Sequence, residues 1–243
     1  MNIYVGCCGF PISMKKYFQE FSTVEIQSTF YKHPKLETLR KWKEMAPNNF
    51  QFSIKAFQGI THPTTSPTWK RYGEIKIGKP ENYGLLQTTE EVFNSWNQTL
   101  EICKILQAKI CLIQLPASFK DDEINLENSR KFFSKIKRNN LEIAVELRGW
   151  SIDNIERICR KFNLIDCCDP FVRLPNYFKD IAYFRLHGSY EKGRINYKHK
   201  YSEKELEELR KNIINLKVKE TFILFNNLWM FEDAKAFLRL ISL

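Results

Sequence analysis

Short runs of apolar and β-branched residues recur along the chain at 3–7, 24–28, 50–56, 109–115, 142–147, 164–168, 181–186 and 221–225. Polar segments of helical character follow seven of the eight runs, as at 34–45, 89–107, 123–139, 152–162, 203–217 and 230–240. In 203–217 the residues Leu206, Leu209 and Ile213 repeat at helical spacing. Ser202, three positions before Glu205, supplies a capping box at the start. Strands alternating with helices predict a parallel α/β fold, and eight strands is the number that closes a (β/α)8 barrel of the TIM type. An open doubly wound sheet fits less well, because Gly6-Cys7-Cys8-Gly9 lacks the third glycine of the dinucleotide fingerprint. The expectation is a single barrel domain over residues 1–243. One stretch breaks the rhythm: 57–89, after the third strand, holds four of the nine glycines and three of the nine prolines. That is far longer than an ordinary βα connection of about 2–6 residues, and such excursions are binding loops or variable surface loops.

Polar residues inside strands covered on both faces are costly unless used. Alternation places Glu25 with Gln27, Ser53 with Lys55, Glu146 with Arg148, and Arg185 with His187, each pair on one strand face. Gln114, Asp169 and Asn226 fall at or just past strand ends. All lie late in their strands, toward the barrel face where active sites are built. The expectation is therefore a pocket that gathers Glu25, Lys55, Glu146, Arg148, Arg185 and His187, with Gln27, Gln114 and Asn226 as neutral partners. Lys55, Arg148 and Arg185 suit an anion, Arg as a planar fork and Lys as a point charge. Glu25 and Glu146 suit general acid and base, and His187 suits a proton shuttle. The alternative is a network of structural ion pairs, which gains little over apolar packing.

Composition then narrows the class. Of 243 residues, 43% are hydrophobic and 27% charged, which excludes disordered and fibrous chains. Lys and Arg total 38 against 28 Asp and Glu, a net charge of +10. This excess favours anionic partners, either an anionic small molecule or nucleic acid. For nucleic acid, the aromatics Trp69, Tyr72, Tyr190 and Tyr197 interleave with Lys70, Arg71, Lys192, Arg194 and Lys198. The seven cysteines show no C-x-x-C spacing and sit mostly in apolar runs, which predicts free thiols. An odd cysteine count without a secretory signal fits a reducing cytoplasm, and no apolar run reaches the roughly 20 residues of a membrane span. Glu25, Glu146, Asp169 and His187 offer ligands for at most a single divalent metal, with no H-x-H or H-x-x-x-H spacing. No P-loop or dinucleotide fingerprint is present, so no nucleotide cofactor is expected. Oligomeric state is not legible in the sequence.

Nine motifs in order resemble the YecE-like family of uncharacterised barrel proteins, a domain of unknown function. They are V-G-C-C-G-F at 5–10, V-E-I-Q-S-T-F-Y-K-H-P at 24–34, F-S-I-K-A at 52–56, I-T-H at 60–62 and Q-L-P at 114–116. V-E-L-R at 145–148, F-R-L-H-G at 184–188, Y-S-E-K-E-L at 201–206 and F-N-N at 225–227 complete the set. The resemblance implies a TIM-type barrel with a shared pocket, and no established reaction. The chain departs from the pattern at Phe10, where the family usually carries Trp, and at Gln27, where it carries Asn. After Arg148 the family commonly shows a His before Ser-Trp; here Gly149-Trp150-Ser151 follows, which leaves His187 as the expected histidine. The function expected is acid–base or metal-assisted hydrolysis of an anionic, phosphate-bearing ligand at the C-terminal mouth. The alternative is a nucleic-acid-binding protein without chemistry.

Overall fold

The apolar runs and amphipathic segments resolve, in a computed structural model that describes residues 1–72 and 78–242, into ten strands and nine α-helices among the described residues. In chain order they are β1 (Asn2–Cys8), α1 (Met14–Glu20), β2 (Thr23–Ile26), α2 (Ser28–Tyr31), α3 (Leu36–Met45), β3 (Gln51–Lys55), α4 (Gln58–Thr61), α5 (Glu90–Leu106), β4 (Ile110–Leu115) and α6 (Glu123–Lys135). There follow β5 (Glu142–Leu147), α7 (Ile152–Phe162), β6 (Ile165–Cys168), β7 (Ile181–Leu186), β8 (Ser189–Glu191), β9 (Arg194–Asn196), α8 (Glu203–Ile214), β10 (Glu220–Phe225) and α9 (Met230–Ile241). Eight parallel strands close in the order β1-β10-β7-β6-β5-β4-β3-β2, as the eight apolar runs require. The pair β8 and β9 forms a separate antiparallel hairpin that the period did not reveal. No helix among the described residues is long and apolar enough to cross a membrane.

Local chemistry sets the element ends. The capping box before α8 is present: Glu205 N–H donates to Ser202 Oγ, and the Glu205 carboxylate accepts from Ser202 N–H at 2.7 Å. Thr89 caps α5, and Gln107 closes it in the left-handed region at φ 50°. The second strand is shorter than its apolar run. It stops at Ile26, because Gln27 turns to φ −86°, ψ −28° and Ser28 opens α2. Gln27 thus leaves the strand face it was expected to share with Glu25.

The chain divides into two compact units. The first comprises Met1–Glu25, Ala46–Gln51 and Ile165–Leu243. Here the register aligns Tyr4 with Phe222 and Phe222 with Tyr183, so their side chains share one sheet face. Their rings stack at 4.7 and 5.9 Å. Such aromatic pairs add roughly 0.5–1.5 kcal/mol each beyond area burial. One layer further along, Cys8 lies opposite Glu25, and Leu224 opposite Arg185. Gly6 is required where Tyr17 Oη accepts from Cys7 N–H and donates to Thr23 O. A Cβ there would stand 2.2 Å from Thr23 O.

The second unit comprises Ile26–Met45 and Phe52–Leu164. In it Lys55 pairs with Leu112, and Gln114 with Glu146, which puts Lys55, Gln114 and Glu146 on one face near the strand ends. The long excursion after β3 also belongs here, except that 73–77 lie outside the described residues. It is folded rather than loose. Phe57, Trp69, Tyr72 and Tyr83 contact one another ring to ring at 5.3–5.7 Å. Trp69, expected as an exposed aromatic, is only 7% exposed, because its indole N–H is spent on His62 O at 3.2 Å within this cluster.

Candidate functional site

In the first unit the Glu25 side chain is wholly buried between two donors. Arg185 Nη2 lies 3.1 Å from Oε1, and Tyr183 O–H donates to Oε2 at 2.8 Å. Arg185 is 1% exposed. Burial first and the charge of the Glu25 carboxylate second push the Cys8 thiol well above its ordinary range, although Arg185 hydrogen-bonds it. Cys7 is also no nucleophile: burial pushes its thiol up to about 12, and its Sγ sits on Met230 O at 3.3 Å. All seven cysteines are free and buried.

His187 stands one residue past β7. Asp169 accepts its backbone N–H at 3.0 Å and faces its Nδ1 at 3.4 Å, while also accepting Phe171 N–H at 3.1 Å. Asn226 is half-buried past β10, with its N–H on Leu186 O. Its neighbour Asn227, which alternation did not single out, is buried and donates to Asp233 at 2.6 Å. Within this unit the structure therefore gathers Glu25 and Arg185 into one pair and ties His187 to Asp169.

The second unit holds the other three charged residues. Lys55, 7% exposed, places Nζ 4.1 Å from the centre of the Phe30 ring. Arg148 follows β5 and pairs through Nε with the Glu146 carboxylate; its side chain keeps 28% of its exposure while that of Glu146 keeps 6%. Gln114 Nε2 turns back to Leu115 O at 3.3 Å, and Gln27 stands at the head of α2.

A residue that alternation along strands missed belongs to this group. His62 ends α4, is 6% exposed, and lies edge-on to Phe30 at 5.0 Å. Its Nδ1 meets Thr61 Oγ1 at 2.8 Å. Burial lowers its pKa from the ordinary 6.5 to about 4, and the charges of Lys55 and Arg148 act in the same direction. The I-T-H motif was the only signal that marked it, since His62 lies in the long excursion rather than on a strand. Among the described residues, no group of three or more His, Cys, Asp or Glu side chains is close enough to hold a metal ion.

Comparison with known proteins agrees with this architecture. The family described as "Protein of unknown function DUF72" matches residues 11–242. The UPF0759 protein YunF of Bacillus subtilis (strain 168) is 24% identical over 273 aligned positions, covering 93% of this chain and 88% of its own. A DUF72 family protein of Thermotoga maritima MSB8 is similar in structure with a TM-score of 0.73, at 24% identity and 100% coverage of both chains. A more distant barrel of the same fold is endonuclease IV from Thermus thermophilus. Its TM-score is 0.54 at 12% identity, with 98% of this chain and 99% of that one covered.

Proposed function

The chain belongs to the DUF72 family of unknown function, and we propose that it is an enzyme whose second unit binds an anionic, phosphate-bearing ligand at its strand ends and hydrolyses it by acid–base chemistry. One observation carries the reading: the strand register sets Lys55, Gln114 and Glu146 on one face near the strand ends, and Arg148 pairs with Glu146 there, so an ammonium and a guanidinium stand at one end of this unit. Lys55 is 7% exposed and the Arg148 side chain keeps 28% exposure, a partly desolvated setting in which cations attract an anion more strongly than in water. Arg148 supplies the planar fork, Lys55 the point charge, and Glu146 the carboxylate that orients Arg148. The relationship to endonuclease IV supports only that this fold hosts an enzyme. In this reading Glu25 and Arg185 brace the first unit from within.

The test is calorimetric binding of inorganic phosphate and sulfate to the parent, Lys55→Met and Arg148→Ala, followed by turnover of a panel of phosphate esters. Each substitution is expected to weaken anion binding by roughly 10- to 150-fold, the loss of a charge-assisted hydrogen bond worth about 1.5–3 kcal/mol. Anion affinity equal in all three proteins would overturn the reading.

One observation favours nucleic-acid binding as a second reading. Tyr190, Tyr197 and Trp229 are each 42% exposed in the first unit, near Lys192, Arg194 and Lys198 in sequence, and Lys200 lies over the Trp229 ring at 4.9 Å. A gel shift with single-stranded nucleic acid whose affinity falls steeply with salt is its signature.

A further inference from the structure

We infer that His62 is the proton-carrying side chain of the Lys55–Arg148 site, taking up a proton at Nε2 when an anion occupies the two cations and releasing it when the anion leaves. The inference rests on the anion-binding reading above and goes beyond it, because it assigns proton transfer to a residue outside the strands.

Three geometric observations support it. The ring is held in one orientation: Thr61 Oγ1 engages Nδ1, Phe30 packs edge-on, and the His62 carbonyl accepts the Trp69 indole N–H. In the tautomer whose Nδ1–H donates to Thr61 Oγ1, Nε2 carries the lone pair and is the ring atom that takes up and releases the proton. The mount is rigid. The returning segment of the excursion donates Gly84 N–H to Gly59 O at 2.8 Å, Leu85 N–H to Thr61 O at 3.2 Å and Leu86 N–H to Ile60 O at 3.0 Å. Gly84, at φ +85°, presses so close that a Cβ there would lie 2.4 Å from the His62 carbonyl carbon. Finally, one Phe30 ring bears both the Lys55 ammonium and the His62 edge, so ammonium and imidazole share a wall.

The charges that bear on this ring come from two strands. Lys55 ends β3 and Arg148 follows β5, with Glu146 tied to Arg148; the clamp 84–86 brings none. The field of the two cations repels a proton on His62, and burial disfavours it further. A bound dianion reverses the sign of the local field while burial stays as it was. The imidazolium is therefore favoured only while the anion is present, which is the condition a general acid needs.

The experiment follows the four histidine rings by NMR between pH 3.5 and 7.5, in chloride and in saturating sulfate, which stays dianionic throughout. The His62 signals are identified by their loss in His62→Asn. Should that variant fail to fold, Thr61→Val identifies them by displacing the same ring. Sulfate is expected to raise the His62 midpoint by about one unit or more. Arg148→Ala should reduce that rise, and Lys55→Met should raise the midpoint in chloride alone. Sulfate that binds without moving the His62 midpoint would overturn this inference and leave the anion reading standing. Absence of sulfate binding at any pH would overturn both.

Discussion

The Glu25–Arg185 pair of the first unit and the Glu146–Arg148 pair of the second differ in how much solvent reaches their charges. In the first, Glu25 and Arg185 are at most 1% exposed and Tyr183 adds a third hydrogen-bonding group, so the charges satisfy each other away from water. In the second, Arg148 retains 28% exposure against Glu146, Lys55 rests on an aromatic face, and a neutral His62 sits in the field of both cations. The difference teaches that a list of charged strand-end residues does not identify a site by itself. In the proposed reading, the Glu25 carboxylate enclosed between the Arg185 guanidinium and the Tyr183 phenol is a brace. Lys55 and Arg148 beside the buried His62 ring are, in the same reading, the place for an anion.

The largest test of this contrast removes the cation from each cluster. Arg185→Ala strands the Glu25 carboxylate in the interior and should cost about 3–5 kcal/mol. At roughly 2–4 °C per kcal/mol for a chain of this size, that lowers the melting temperature by about 6–20 °C. Arg148→Ala removes a side chain that keeps 28% exposure and so lets water approach the Glu146 carboxylate, and it should cost less than Arg185→Ala. Equal losses in the two variants would erase the distinction between the units.

A second, intermediate effect lies in acid. Burial lowers the pKa of both His33 and His62 from 6.5 to about 4, so between these values the unfolded chain binds more protons than the folded one. Their contribution is complete above pH 6.5 and is lost as pH falls toward 4. Urea unfolding followed across that window should show stability falling, and His62→Asn should flatten part of the slope. A parent whose stability does not change between pH 6.5 and 4 would contradict the burial of both rings.

The smallest effect is chemical. Cys8, beside the Glu25–Arg185 pair, and Cys7 are held protonated by burial, so a thiol reagent at neutral pH should leave the folded chain nearly unmodified and count seven thiols after unfolding. Fast labelling of Cys8 in the folded protein would show that the first cluster is open to solvent after all.

Much of this was legible along the chain. The eight apolar runs became the eight barrel strands, and α7 spans the 152–162 expected of it. The capping box at Ser202 formed as its spacing demanded. Helices α1, α2 and α4 were not legible, since α2 and α4 are four residues long and too short for a 3.6-residue period to emerge. The hairpin β8–β9, with three residues per strand, escaped for the same reason. Gln27 shows the limit at a strand end, where one turned residue removes a side chain from its expected face.

What the sequence by itself determined is therefore the barrel and the inventory of strand-end polar residues, because both depend on periodicity, a property of near neighbours. Tertiary structure alone decided which of those residues enclose one another and which direct their charge at a neutral imidazole. It also decided that His62, seven positions beyond Lys55 and far from Arg148 in sequence, lies within the field of both. Burial and Coulomb interaction act through space at a few ångströms, and the chain reaches those distances only after the excursion folds its aromatic cluster and fastens Gly84, Leu85 and Leu86 onto α4.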